Sequence, residues 1–286
     1  MGMLRSQARN TNGRDRTHGR TLGPLLCGLV VVAFVLILAP MAQAASPGNS
    51  PVTITAPYTG ATGYASSAWA ASGCGAASIV HAPFFNWNNG RTGFSVRAHA
   101  NSCSSPFGGS SSASASELVA VPITVPSAND TIRAGWVVNA ALGTSIGATN
   151  CVLQNVSSYS YCYATASAEV YGFAYLFDQT SGTYWYSAGE VFESVASSVY
   201  DTCYSGSCTT SSTGNQHMTV STSIVFPFHV RGLNPSDSYL LVTTWSSDAY
   251  FYEYGYASSL SVANAAGSVT MAGPGMGATL EWITVA

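Results

Sequence analysis

Ile132-Arg133-Ala134-Gly135-Trp136-Val137-Val138-Asn139-Ala140-Ala141-Leu142 carries an apolar side chain at every even position. A helix would scatter those residues around its circumference, whereas a strand sends all of them to one face. Met218, Val220, Thr222, Ile224, Phe226 and Phe228 repeat the pattern, and Phe94, Val96, Ala98 and Ala100 stand opposite Ser95, Arg97 and His99 in the same way. Further strands are expected at 52–56, 118–125, 169–177, 184–195, 239–245, 249–256, 268–271 and 279–285. Turn residues fall between them, at Asn89-Gly90, 178–182, Asn234-Pro235 and Gly273-Pro274-Gly275. About a dozen short strands and few helix formers predict an all-β fold, a β-sandwich or jelly roll with Greek-key connections. Pro122 has no N–H for a ladder, so its strand is expected at an edge or a bulge. The Ser-rich stretch 104–116 reads as a surface loop, and a weak break near 197–216 is the only candidate division of the mature chain.

Upstream of this pattern the layout is that of an export signal. Arg5, Arg9, Arg14, Arg16 and Arg20 precede an apolar run from Leu25 to Ala39, followed by Pro40 and Ala42-Gln43-Ala44. Residues 1–44 are therefore expected to be a signal peptide cleaved after Ala44. Retained as an anchor, the same segment would still leave 45–286 outside, because the positive end stays cytoplasmic. Export implies an oxidising compartment, and six cysteines remain after the signal: Cys74, Cys103, Cys151, Cys162, Cys203 and Cys208. Local pairing is expected. The Asn89-Gly90 turn brings Cys74 towards Cys103, with a slip of about two residues that a bulge near Pro83 absorbs. Cys151 and Cys162 bracket a second candidate hairpin, and Cys203 and Cys208 enclose a four-residue turn. Asn129-Asp130-Thr131 and Asn155-Val156-Ser157 are glycosylation sequons at Asn129 and Asn155.

Charge is scarce. After residue 44 the chain has four arginines, no lysine and eleven carboxylates. Such a surface does not neutralise phosphates, which excludes nucleic acid, and it does not attract an anionic membrane, so membrane contact is limited to the N-terminal segment. With so few cations to pair the carboxylates, stability is expected to vary weakly between neutral and acid pH. No cofactor is implied. The scattered histidines His81, His99, His217 and His229 have no ligand spacing, so no metal site is expected.

The segment Leu233-Asn234-Pro235-Ser236-Asp237-Ser238-Tyr239 resembles the tyrosine corner of fibronectin type III and related immunoglobulin-like sandwiches. That resemblance implies a Tyr239 hydroxyl bonded to backbone just upstream, in a Greek-key sandwich. It carries no function. Glu281-Trp282-Ile283 resembles a segment near the C-terminus of secreted acid peptidases of the glutamic class, which are also low-charge β-sandwiches. Glu190 and Glu193 suggest a glycosidase pair, but three residues apart on a strand they point to opposite faces. Aromatic residues give the stronger lead. Tyr250, Tyr252, Tyr254 and Tyr256 alternate on one strand, and Tyr184-Trp185-Tyr186 adds Trp185 and its neighbours across both faces. Tyrosine joins a large apolar ring to a polar tip, which suits recognition surfaces. The expected function is thus an exported extracellular or cell-surface binding or structural module that recognises carbohydrate or a surface protein. The alternative is a secreted glycosidase or acid peptidase of β-sandwich type.

Overall fold

A computed structural model describes residues 51–100, 108–126, 131–146, 149–152, 159–256, 259–262 and 265–286, without the side chains of 149–152, 256 and 259–262. All of them belong to one compact unit. In chain order the strands are β1 Val52–Ile54, β2 Thr62–Ser72, β3 Gly75–Asn86, β4 Arg91–Ala100 and β5 Gly109–Ile123. Next come β6 Thr131–Ser145, β7 Thr149–Val152, β8 Ser160–Asp178, β9 Tyr184–Tyr204 and β10 Ser207–Ser212. The last five are β11 Gln216–His229, β12 Tyr239–Tyr256, β13 Ser259–Val262, β14 Ala266–Thr270 and β15 Gly277–Val285.

Apart from β7 and β13, which pair with each other, the strands form two antiparallel sheets face to face. A seven-stranded sheet runs β1-β15-β4-β14-β6-β11, with β3 added on β4, and a six-stranded sheet runs β10-β9-β8-β12-β5-β2. Their inner faces are the alternating stripes. Ile132, Ala134, Trp136, Val138, Ala140 and Leu142 of β6 are fully buried, as are Ala164, Ala166, Ala168 and Val170 of β8 and Trp245, Ala249 and Phe251 of β12. Trp136 meets Trp245 across the sandwich with ring centroids 5.4 Å apart, and Phe226 reaches the same Trp245 at 6.3 Å. The Trp245 ring occupies the space above Gly172, where a Cβ would stand 2.2 Å from it. At the other end the layers come closer. A Cβ at Gly267 of β14 would lie 2.1 Å from the Ser167 carbonyl oxygen of β8, so backbone meets backbone and only alanine-sized side chains fit between. Thr144 and Ser197, one from each sheet, share a buried hydroxyl hydrogen bond of 2.5 Å there.

Several expectations meet the structure directly. Tyr239 donates its hydroxyl to the Asn234 carbonyl oxygen at 3.2 Å and accepts the Asn234 N–H at 2.8 Å, the bond pattern of a tyrosine corner. The β3–β4 hairpin turns at Asn89-Gly90, and its register shifts between His81 and Phe84, around Pro83. Pro122 lies inside the sheet on β5, but β2 ends opposite Thr62↔Ala120, so β5 has a neighbour on one side only where the missing N–H falls. The expected break at 197–216 is occupied by the far half of β9, by β10 and by the start of β11.

Other expectations need correction. Residues 109–116 are not a loop: they are the first half of β5, paired to β12 and β2, with Ala113 and Ala115 buried. Strands expected at 239–245 and 249–256 are one strand, β12, because Ser246-Ser247-Asp248 stays extended between neighbours on both sides. In place of the hairpin expected between Cys151 and Cys162, β7 pairs with β13, placing Cys151 opposite Leu260.

The disulfide between Cys203 and Cys208 forms across β9 and β10, where the two residues face each other. Ser205 and Gly206 make the turn with φ of 49° and 82°, the left-handed pair that suits a two-residue hairpin. Cys74 and Cys162 are each half of a disulfide. Their expected partners lie outside the described side chains, Cys103 in 101–107 and Cys151 in 149–152, and the sequons at Asn129 and Asn155 also lie outside the described residues.

Candidate functional site

Alternation sends the odd residues of β8 and the even residues of β9 and β12 to the outer face of the six-stranded sheet. On β8 that face reads Tyr161, Tyr163, Thr165, Ser167, Glu169, Tyr171, Phe173, Tyr175 and Phe177, all outside the buried stripe. On β9 it includes Tyr184, Tyr186, Phe192, Tyr200 and Tyr204, every one exposed. Two ring clusters result. Near the β8–β9 turn, Tyr171, Phe173, Tyr175, Tyr184, Tyr186 and Phe192 join through centroid distances of 5.4 to 6.4 Å. A register shift between Phe173 and Tyr175 sets Tyr175 opposite Tyr186 within it. Towards the other end, Tyr250 and Tyr252 stack at 6.5 Å with planes 9° apart, and Tyr254, Tyr161 and Tyr159 form a second chain of rings.

Asp248 and Glu169 lie between the clusters, directly opposite each other in the β12–β8 ladder. Desolvation by its neighbours and then the Glu169 charge push the Asp248 carboxyl up. Burial, followed by the Tyr186 hydroxyl, pushes Tyr175 up to about 12. Tyr171 moves the same way, through burial and then the Glu190 charge, and donates its hydroxyl to Glu190 Oε2 at 3.3 Å. Both phenols stay protonated over the physiological range, with the Tyr171 donor engaged by Glu190.

The expected tyrosine face is therefore outward on β12. Tyr250 and Tyr254 are exposed and Tyr252 is half-buried, while the Tyr256 side chain lies outside the described ones. Trp185 is placed differently: it packs against the core, and its neighbours Tyr184 and Tyr186, 55% and 64% exposed, are the ones that reach the outer face. Tyr171, Phe173, Tyr175 and Phe192 were not among the expected residues. The signal was present, since aromatic rings fill every odd position from 171 to 177, yet both faces of that strand are apolar and nothing in the sequence says which one meets solvent.

The carboxylates divide by face. Glu190 points outward and Glu193 inward, so they do not converge. Glu117 and Glu253 are both 1% exposed on the inner side, each with a carboxylate oxygen that has no hydrogen-bond partner among the described residues. Burial alone pushes each up to about 7. They stand opposite Trp245 and Gly109, eight residues apart along β12, or about 27 Å. Glu281, in the segment that resembles the acid peptidases, lies on β15 of the other sheet, at the level of Trp136. Among the described strand residues, Asp248 and Glu169 are the carboxylates that face each other directly in a ladder. No protein-family model matches the chain, and no curated protein matches its sequence.

Proposed function

We propose that this chain is an exported extracellular or cell-surface module of Greek-key sandwich type that binds carbohydrate through the outer face of its six-stranded sheet. The observation that carries the reading is the cluster Tyr171, Phe173, Tyr175, Tyr184, Tyr186 and Phe192, whose rings line one open face with Tyr184, Tyr186 and Phe192 all more than half exposed. Apolar faces of sugar rings stack on such platforms, and hydroxyls at the ring tips and on neighbouring serines supply directional hydrogen bonds. Strands of 18 to 21 residues make this face long, which suits an extended polymer better than a small molecule. The arginine-rich start and apolar run of residues 1–44, read as an export signal, and the Cys203–Cys208 disulfide support a location outside the cytoplasm. Binding of the purified protein to a panel of soluble and insoluble polysaccharides tests the reading. At least one should be retained, and the double variant Tyr184→Ala/Tyr186→Ala should lose ten-fold or more in affinity while keeping the same melting behaviour. Retention of none, or full binding by the double variant, overturns it.

The facing pair Asp248 and Glu169 supports a second reading as a glycosidase. Directly opposed residues of an antiparallel ladder have Cβ atoms about 4.5–5.5 Å apart, and retaining glycosidases hold two carboxyl groups about 5–5.5 Å apart. Release of reducing ends from a bound polysaccharide, abolished in Asp248→Asn, would favour it over simple binding.

A further inference from the structure

We propose that the outer face of the seven-stranded sheet carries a second, separate site, a cradle for a carboxylate or sulfate group built by Arg97, Ser268, Gly143 and His217. The registers of three ladders put these four residues in one line across the sheet. Ser268 of β14 faces Arg97 of β4 on one side and Gly143 of β6 on the other, and Gly143 faces His217 of β11. Together with Ser145 and Thr270 they line a groove of about 310 Å³.

The groove exists because the middle of the line is small. Gly143 has no side chain, and a Cβ there would come within 3.1 Å of His217 Nδ1, so the imidazole leans across the glycine towards Ser268. Ser268 Oγ donates to the Gly143 carbonyl oxygen at 3.3 Å, which engages the acceptor at the floor of the groove. The Arg97 guanidinium is exposed and has no hydrogen bond or ion pair with any described residue. Arg91 on the same strand differs: its guanidinium bonds the carbonyl oxygens of Gly273 and Met276 and so holds a turn. One arginine serves the fold and the other is left with its fork of donors open to a ligand, the geometry that binds two oxygens of a carboxylate or a tetrahedral oxyanion in bidentate fashion.

The distribution of charge gives independent support. Strands β4, β6, β11 and β14 contain Arg91, Arg97, Arg133, His99, His217 and His229 and not one Asp or Glu. In the six-stranded sheet every charged side chain is a carboxylate, and there is no Arg, Lys or His. An anion approaching the groove therefore meets no carboxylate on the four strands that form it, in a chain whose carboxylates outnumber its cations after residue 44. The group recognised is an oxyanion, and its source is either a free inorganic ion or an acidic saccharide such as a uronate or sulfated glycan; we assign the saccharide, in keeping with an exported module that meets polymers.

Titration of the ¹⁵N-labelled protein, followed by amide and histidine-ring NMR shifts, tests the site with three probes: sodium sulfate, a galacturonate trimer and the neutral maltotriose. Sulfate and the galacturonate trimer should shift Gly143, Ser268 and the His217 ring, maltotriose should not, and Arg97→Gln and His217→Ala should each weaken the response at least five-fold. Arg133→Gln, on the same face but ten residues down β6, should leave it unchanged. Shifts with sulfate alone would overturn the saccharide assignment and leave a free-ion site. An equal effect of Arg133→Gln, no shift at these residues, or shifts that grow with protein concentration without any probe would overturn the site itself, the last because the acidic face of a second copy would then be its occupant. Arg97 is on the surface, so the spectrum of Arg97→Gln without ligand serves as its own check on folding.

Discussion

Asp248 faces Glu169 directly across the β12–β8 ladder, with Tyr250 two residues along one strand and Tyr171 two residues along the other. No cation lies on any strand of that sheet. Like charges directly opposed in a ladder destabilise by about 0.2–1 kcal/mol. Asp248→Asn is therefore expected to raise stability by that amount at pH 7 and less at high salt, read from urea unfolding at two ionic strengths. The sign follows from the raised Asp248 carboxyl: its folded pKa lies above the unfolded one, so the penalty appears as pH rises through that interval and is absent in acid.

Glu117 and Glu253 extend the same argument into the core. Each is fully buried and pushed from an ordinary 4.5 up to about 7 by burial alone. Below pH 4.5 folded and unfolded chains are both protonated there. Between 4.5 and 7 the unfolded chain ionises first, so stability falls as pH rises, by up to about 3 kcal/mol per residue at roughly 1.4 kcal/mol per pH unit. The protein is expected to be more stable at pH 4.5 than at pH 7.5, not indifferent as its few cations suggested. Thermal melts across that range check this, and Glu117→Gln/Glu253→Gln should flatten the slope. A melting point that falls on acidification would contradict it.

Gly172 lies under the Trp245 ring, 2.2 Å from where a Cβ would stand. Gly172→Ala forces the indole off its place between Trp136 and Phe226, and overpacking of this kind costs about 1–3 kcal/mol. Chemical denaturation should show that loss with an unchanged slope, because the unfolded surface is the same.

The Cys203–Cys208 disulfide closes a loop of six residues on the β9–β10 hairpin. Chain entropy assigns such a loop about 2.2 kcal/mol at most. Cys203→Ala/Cys208→Ala should lose no more than that, and hydrogen exchange should rise in β10 and the end of β9 while β6, β8 and β12 keep their protection. Loss of the whole fold would mean that the bridge holds more than its hairpin.

Strand identity was legible wherever one face is apolar and the other polar. The stripes of β6, β11 and β4 gave both the strand and its inner side, because a side-chain period of two admits no other regular structure. The Tyr239 corner and the β9–β10 turn were legible for a related reason, since every group involved lies within seven residues. Residues 109–116 were misread because serine and alanine have no strong preference; Ala113 and Ala115 become core only where the two layers come close enough for alanine to fill the space. The outward side of β8 and β9 was not legible either. Tyr171, Phe173 and Tyr175 alternate with Val170, Gly172 and Ala174, and an aromatic stripe suits a core as well as a surface.

From its sequence alone this protein was determined to be an all-β chain with Cys203 opposite Cys208, with Glu190 and Glu193 on opposite faces, and with four arginines and no lysine after residue 44. Those properties depend on neighbours a few residues apart or on composition. Which side of each strand is covered, and which residues meet across strands, were decided only when the two sheets packed. Asp248 comes to face Glu169, 79 positions earlier, and Arg97, Gly143, His217 and Ser268 come into one line, through ladder registers that hydrophobic burial sets at a distance. Trp185 turned inward and Tyr184 and Tyr186 outward for the same reason: the side of β9 that covers the core is chosen by the opposing sheet, not by the residues of β9.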